Sequence, residues 1–351
     1  MNIIYGSQVA IILLFLLATM LFLLPQREEN KKLYNNLFIF FQVALIVIAV
    51  TRPETTADTD NYIAGFRYPK LAATRLEPMY FIILRISQFF FNPVLVGFTI
   101  YAFLSVTPRF RFIKQQSVNF WASIMVYMAY CYMAQDIIAM RSSVASALIL
   151  YVIKFKLDGN KKNMVATILL ASLFHYSALV FFALLLVDSE KEQRLVYLSL
   201  LFGTYGLYFT GFDIRMVFPY LSYLTFLEYN LNDYYMSTAE VYGTLNGPQI
   251  LRLSTCLLFW VFSSRLKDFN PYAMVYLKVF TISLCMFPLF SSIATMGYRF
   301  YEIFASAEAI GLPMLFMGVF KKRSLYKAAI IVYTFYFFYV SITNVAYWDP
   351  A

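Results

Sequence analysis

The chain is short of charge, of histidine and of cysteine, and each shortage removes a class of function. Only 13% of its residues are Asp, Glu, Lys or Arg, about half of what a soluble domain carries. A large water-soluble domain is thereby excluded. One histidine, His175, in 351 residues argues against a histidine-built metal site. Cys131, Cys256 and Cys285 lie in separate apolar runs without CxxC spacing. They read as small core residues, so neither a disulfide framework nor a zinc site is expected. No Gly-rich phosphate loop, Walker sequence or Ser-His-Asp spacing occurs. There is no internal repeat and no low-complexity tract. No metal or cofactor is expected.

What is abundant is apolar. Hydrophobic residues make up 61% and aromatics 20% of the chain. Tyr and Trp favour membrane interfaces, and Phe packs in apolar bundles. A spanning helix needs about 20 mostly apolar residues. The runs that offer this begin with Tyr5–Leu24, Leu33–Val50 and Pro78–Phe91 leading into Val94–Val106. Val118–Ala134, Ile137–Ile153, Asn163–Val187 and Leu195–Gly211 follow. Pro248–Ser263, Tyr272–Ser292, Arg299–Phe320 and Leu325–Thr343 complete the set. The first run lacks a basic flank and a small-residue cleavage site, so it reads as a retained helix. The fold expected is all-α, one polytopic integral membrane bundle over residues 1–351 with about 11–12 membrane segments.

Charge orients the bundle. The net charge of +9 comes in short basic clusters between apolar runs, the footprint of cytoplasmic loops and not of a nucleic-acid surface. Eighteen of the 28 Lys and Arg fall in such linkers, including Arg109, Arg111 and Lys114, which are assigned to the cytoplasm. Two long polar segments, 51–78 and 212–247, then share the opposite, extracytoplasmic face. This assignment closes only if Asn163–Val187 folds back near His175 instead of crossing once.

Ten basic residues remain outside the cytoplasmic linkers, eight of them arginine. Lys278, near the cytoplasmic end of its helix, is expected to snorkel. Arginine stays charged and grips phosphate oxygens bidentately, and charge within apolar segments is expensive. Arg141, Arg252 and Arg299 at matching depth therefore suggest a shared site for a lipid-linked phosphate or diphosphate. Asp136 with Arg141 and Arg299 with Glu302 are the local ion pairs that spacing permits. His175 is the one side chain whose ordinary pKa lies near neutrality, and Asp58 and Glu77 are the other candidate bases. Asp58 and Asp60, on one side of an extended strand, are weak metal ligands. Tyr220, Tyr223, Tyr229, Tyr234 and Tyr235 in the second polar segment suit sugar stacking.

These pieces occur in an order that resembles the EpsG-like, Wzy-class polysaccharide polymerases. Arg52, then Asp58-Thr59-x-Asn61-Tyr62 with Phe66, is similar to that family's early Arg…DTxNYxxxF segment. Glu77-Pro78, Arg141 with SSVASAL, LFHYSAL around His175, Arg252 and the Tyr298–Tyr301 segment follow in family order. Ser142 departs from the pattern, standing where the family usually has glutamine. The resemblance implies a GT-C-like enzyme of the bacterial inner membrane, acting at its outer face on undecaprenyl-diphosphate-linked oligosaccharides. It implies catalytic roles for His175, Asp58, Glu77 and Arg141. Substrate contacts are implied for Arg52, Asn61, Tyr62, Arg252, Arg299 and Tyr301. Membrane lipids, a chain-length regulator and a flippase are the implied partners. The alternatives are a lipid-linked glycan flippase or transporter, and an O-antigen ligase-type glycosyltransferase.

Overall fold

The computed structural model describes residues 2–25, 31–56, 58–69, 77–217 and 244–344. Every regular element among them is helical. Helix α1 is Asn2–Leu23, α2 Lys31–Val50, α3 Thr59–Arg67, α4 Pro78–Ser87 and α5 Pro93–Gln116. Helix α6, Phe120–Val126, runs on as a π-helix, Tyr127–Ile138, before α7, Met140–Leu157. Then come α8 (Lys161–Phe174), a 3-10 helix (Tyr176–Leu186), α9 (Arg194–Phe209) and α10 (Gly247–Val261). The last are α11 (Ser263–Phe269), α12 (Ala273–Leu289), α13 (Ala294–Ala305), α14 (Glu308–Val319) and α15 (Arg323–Thr343).

Four of the described helices are long and apolar enough to cross a membrane: Gly6–Leu23, Lys32–Val50, Pro93–Gln116 and Arg323–Thr343. A fifth span results if α13 and α14, which meet at 62°, act together. The rest of the bundle is built from shorter or broken apolar helices. In α1, Ile11, Leu14, Phe15, Ala18 and Phe22 are buried while Leu13, Leu16 and Met20 are exposed. That is one helical stripe at i, i+3, i+4 and i+7 turned inward, with apolar residues also on the outer side, as lipid requires. Phe15 stacks on Phe338 of α15 at 3.9 Å between centroids. Cys131, Cys256 and Cys285 are free and buried, as expected of core residues.

Two predicted apolar runs are broken where the sequence looked continuous, and the polar segment between runs holds a helix. Arg299–Phe320 bends between α13 and α14. The polar segment after Val50 is not extended throughout, because Thr59–Arg67 is a helix that starts at Asp58 in a left-handed conformation, φ 62°. Asp58 and Asp60 therefore do not share a strand face. Ile137–Ile153 is interrupted at Ala139, so Arg141 lies in the first turn of α7.

Asn163–Val187 does fold back. Ala171 accepts the last α-helical bond from His175, whose own backbone is extended at φ −158°. Fourteen residues of α8 rise about 21 Å, and eleven 3-10 residues descend about 22 Å, because 3-10 geometry stretches each residue to about 2.0 Å. The Lys156 ammonium at the end of α7 donates to the Leu185 carbonyl at 3.2 Å. The far end of the 3-10 helix thus returns to the level at which α7 ended, with His175 at the tip.

Helices α2 and α5 lie antiparallel, pinned by Gln42 Nε2 to Thr107 Oγ1 at 3.1 Å and Lys114 Nζ to Asn35 Oδ1 at 3.0 Å. In that register α5 continues about 9 Å beyond the level of Val50. The segment after Val50 therefore lies sunk beside α5 and not at its end. Gly97 permits this, since a Cβ there would stand 2.4 Å from the Phe66 ring.

Candidate active site

Glu77 organises the site. Proline at 78 makes residue 77 extended and opens α4 at its first position. Glu77 caps α4 by backbone position alone; its side chain makes no capping bond. Both carboxylate oxygens turn to other helices. Oε2 accepts from Arg141 Nη1 at 2.6 Å, and Oε1 meets His175 Nδ1 at 3.0 Å. Three segments 64 and 98 residues apart in pairing distance are thereby joined. Burial alone would raise the Glu77 carboxyl, but the His175 hydrogen bond and the Arg141 charge prevail and hold it at about 2. An ionised carboxylate only accepts, so Nδ1 carries a proton, and in the neutral imidazole Nε2 keeps its lone pair.

Aromatic faces complete the Arg141 pocket. Its guanidinium lies 5.7 Å from the Tyr62 ring and 5.6 Å from the Tyr80 ring. Tyr62 comes from α3, the helix seated against α5 by Gly97. The Arg141 side chain is 12% exposed, enough to meet a ligand without being solvated freely. Ser142, at the departure from the family pattern, donates to the Ala139 carbonyl at 2.9 Å and so closes the α7 break.

Arg299 in α13 faces the same region. Its Nη2 lies 3.9 Å from Asp58 Oδ2, and both side chains are about one-third exposed. His175 is within electrostatic reach of Arg141 and Arg299 together. Asn61 is exposed on α3, next in sequence to Tyr62.

Other candidates are placed elsewhere. Arg252, expected at the ligand, is 2% exposed. Its guanidinium is boxed by the rings of Tyr130, Tyr301 and Phe337 at 4.2, 4.8 and 4.2 Å. Glu308 lies 3.4 Å from its Nε. Tyr301, also expected at the ligand, is a wall of this box, its hydroxyl donating to Glu308 at 3.3 Å. Arg52 is buried too. It donates to the carbonyls of Asp136 and Ile137 and lies over the Phe98 ring at 4.4 Å. A cation there satisfies the orphan carbonyls at the end of the π-helix. The tyrosines expected to hold sugars, Tyr220, Tyr223, Tyr229, Tyr234 and Tyr235, lie outside the described residues.

Two local pairs are corrected. Asp136 does not meet Arg141. It pairs with Arg109, read from sequence as a cytoplasmic linker residue but 1% exposed inside α5. Gln135, Ser143 and Ser146 also bind the Arg109 guanidinium, and Tyr127 donates to Asp136 at 2.8 Å. The i, i+5 spacing failed because the helix breaks between the two residues. Glu302 takes a hydrogen bond from Tyr130 at 3.1 Å, while Arg299 turns to Asp58. Lys278 does not snorkel to water; it is fully buried and donates to the carbonyls of Asp188 and Lys191.

Glu302 is the site residue that sequence reasoning passed over except as a partner for Arg299. It is half-buried, within electrostatic reach of Arg299, Arg252 and Asp58. Its backbone carbonyl accepts from Gln135, which links it to the Arg109 network. Its spacing from Arg299 was the only signal available.

No curated protein and no solved structure matches the chain. One family model does, that of the EpsG family, over residues 35–350. With the match covering nearly the whole chain, all but its first 34 residues and the last one, the chain belongs to the EpsG family.

Proposed function

We propose that this protein is a membrane glycosyltransferase that polymerises a polysaccharide from lipid-diphosphate-linked oligosaccharide units. Membership of the EpsG family supports a polysaccharide polymerase in general terms. The observation that carries the finer reading is the Arg141–Glu77–His175 junction, assembled from three segments and partly open. It offers a fixed cation for a diphosphate beside a nitrogen base with a defined tautomer.

In this reading Arg141 and Arg299 bind the donor diphosphate and stabilise the charge that collects on it as the sugar C–O bond breaks. The acceptor hydroxyl forms the new bond at the anomeric carbon, and its proton passes to His175 Nε2. Glu77 is a positioning residue. It fixes the imidazole tautomer and holds Arg141 in place. The GT-C-like class, an undecaprenyl carrier, an inner-membrane setting and an outer-face site belong to the same proposal, as do a chain-length regulator and a flippase as partners.

Purified protein in detergent, supplied with lipid-linked repeat units, tests it. The expected product is a ladder of longer glycans on the lipid. A flippase would give none, and a ligase would lengthen only a foreign acceptor. Either result overturns the polymerase reading.

A further inference from the structure

Glu302 is a carboxylate beside the candidate site that the proposed reaction leaves unused. It follows Arg299 by three residues in α13, so the two share a helix face and lie about 4.5 Å apart along the axis. Beyond it the helix is sealed. Ile303, Phe304 and Ala305 are buried, and the Glu302 carbonyl accepts from Gln135 of the Arg109 network. Glu302 itself is half-buried. It is thus the last polar side chain on this face of α13 before the closed interior.

The carboxylate is held from one side only. Its Oε1 accepts from the Tyr130 hydroxyl at 3.1 Å. Tyr130 is itself fixed, its ring packed against the Arg252 guanidinium at 4.2 Å. Oε2 has no hydrogen-bond partner among the described residues and is not sealed from solvent. A carboxylate positioned through one oxygen, with the other open, is set to accept one further hydrogen bond. Its neighbours are engaged otherwise: both Glu77 oxygens are taken, and Asp58 turns to Arg299. Charge decides what fills the open position. Diphosphate oxygens only accept, and they are matched by Arg141 and Arg299. A carboxylate is matched by a donor, and the donors that a glycan brings are its hydroxyls. A sugar ring bonded to a diphosphate at Arg299 spans the single helical turn to Glu302.

We propose, resting on the polymerase reading, that Glu302 is a substrate-binding residue whose Oε2 accepts from a hydroxyl of the sugar bonded to the donor diphosphate. It selects a neutral sugar at that position, because an acidic one would set two carboxylates together. Two lipids separate the sugar from the diphosphate: undecaprenyl diphosphate, and the same carrier bearing one repeat unit. Each is titrated against the full-length protein in neutral detergent by native mass spectrometry. Glu302→Gln keeps an oxygen for Tyr130 and removes the anionic acceptor. It is expected to weaken the sugar-bearing lipid about three- to tenfold and to leave undecaprenyl diphosphate within about twofold. Glu302→Asp, which keeps the charge but draws it back, is expected to weaken the sugar-bearing lipid alone, and by less. Arg299→Gln is expected to weaken both lipids. Undiminished binding of the bare lipid also shows that a variant is folded. Equal weakening of both lipids by the Glu302 variants would make the residue structural, and no weakening of either would leave it without a ligand. Both results overturn the inference and leave the polymerase reading standing. Wild-type protein that binds neither lipid overturns that reading, and the inference with it.

Discussion

The Arg141–Glu77 and Arg109–Asp136 pairs use the same two functional groups and serve opposite ends. At Arg109–Asp136 the side chains are 2% and 0% exposed. Every group around them is a partner from the chain itself: Ser105, Tyr127, Gln135, Ser143 and Ser146. At Arg141–Glu77 the exposures are 12% and 9%, the partners are fewer, and the third member is a histidine. A buried network whose partners come from several helices ties them together. A less crowded pair with one open edge can exchange a contact for a ligand. Arg252 resembles the first pattern, 2% exposed inside its box of rings and paired with Glu308.

The largest expected effect breaks the buried pair. Asp136→Ala strands the Arg109 charge inside the bundle, at a cost of about 3–5 kcal/mol. The expected result is little folded protein by size-exclusion chromatography; wild-type yield and melting temperature would contradict it. Removing the arginine of the open pair should cost the fold less and stop the reaction. Arg141→Ala is expected to reach the membrane at wild-type level and lose about 10²–10³ in rate, the scale of one lost charge-stabilising donor. Glycan chain length beside an immunoblot reads both quantities, and normal chains would remove Arg141 from the site.

Glu77 sharpens the comparison through pH. Its carboxyl is held at about 2, well below the ordinary 4.5. A depressed carboxylate contributes stability above its unfolded value and loses it as pH falls through the folded one. The difference in melting temperature between wild type and Glu77→Gln should therefore be constant from about pH 5 to 8 and shrink below about pH 4.5. A difference that instead widens as pH falls from 7 to 6 would mean that His175 ionisation governs the junction, because a protonated imidazole gains from the Glu77 carboxylate what glutamine cannot give. The smallest effect is expected at Arg67–Glu54, an exposed pair at 3.8 Å. Arg67→Ala should change stability by less than about 1 kcal/mol, and a larger drop on thermal unfolding would show that exposure is a poor guide here.

The helical membrane class was legible in composition, and so were Arg141, Glu77 and His175 as residues of interest. The fold-back at His175 was legible indirectly, through the charges on either side of Asn163–Val187. Other features had no such trace. Arg109 looked like its neighbours Arg111 and Lys114 in a basic linker, yet α5 carries it inward while Arg111 and Lys114 stay exposed. Helical periodicity offered Asp136 to Arg141, but Ala139 ends the π-helix between them and turns the two side chains to different neighbours.

The sequence by itself determined that the chain lives in a membrane as helices, because unpaired backbone groups are intolerable in hydrocarbon and long apolar runs must satisfy them internally. It also marked which charges were too costly to be idle. The tertiary structure alone decided which charge answers which. Glu77 reaches 64 residues forward to Arg141 and 98 to His175, and Arg109 reaches 27 to Asp136. Ion pairing falls off within a few ångströms, and at those separations the distance is set by how helices pack and where they break, which no local pattern records.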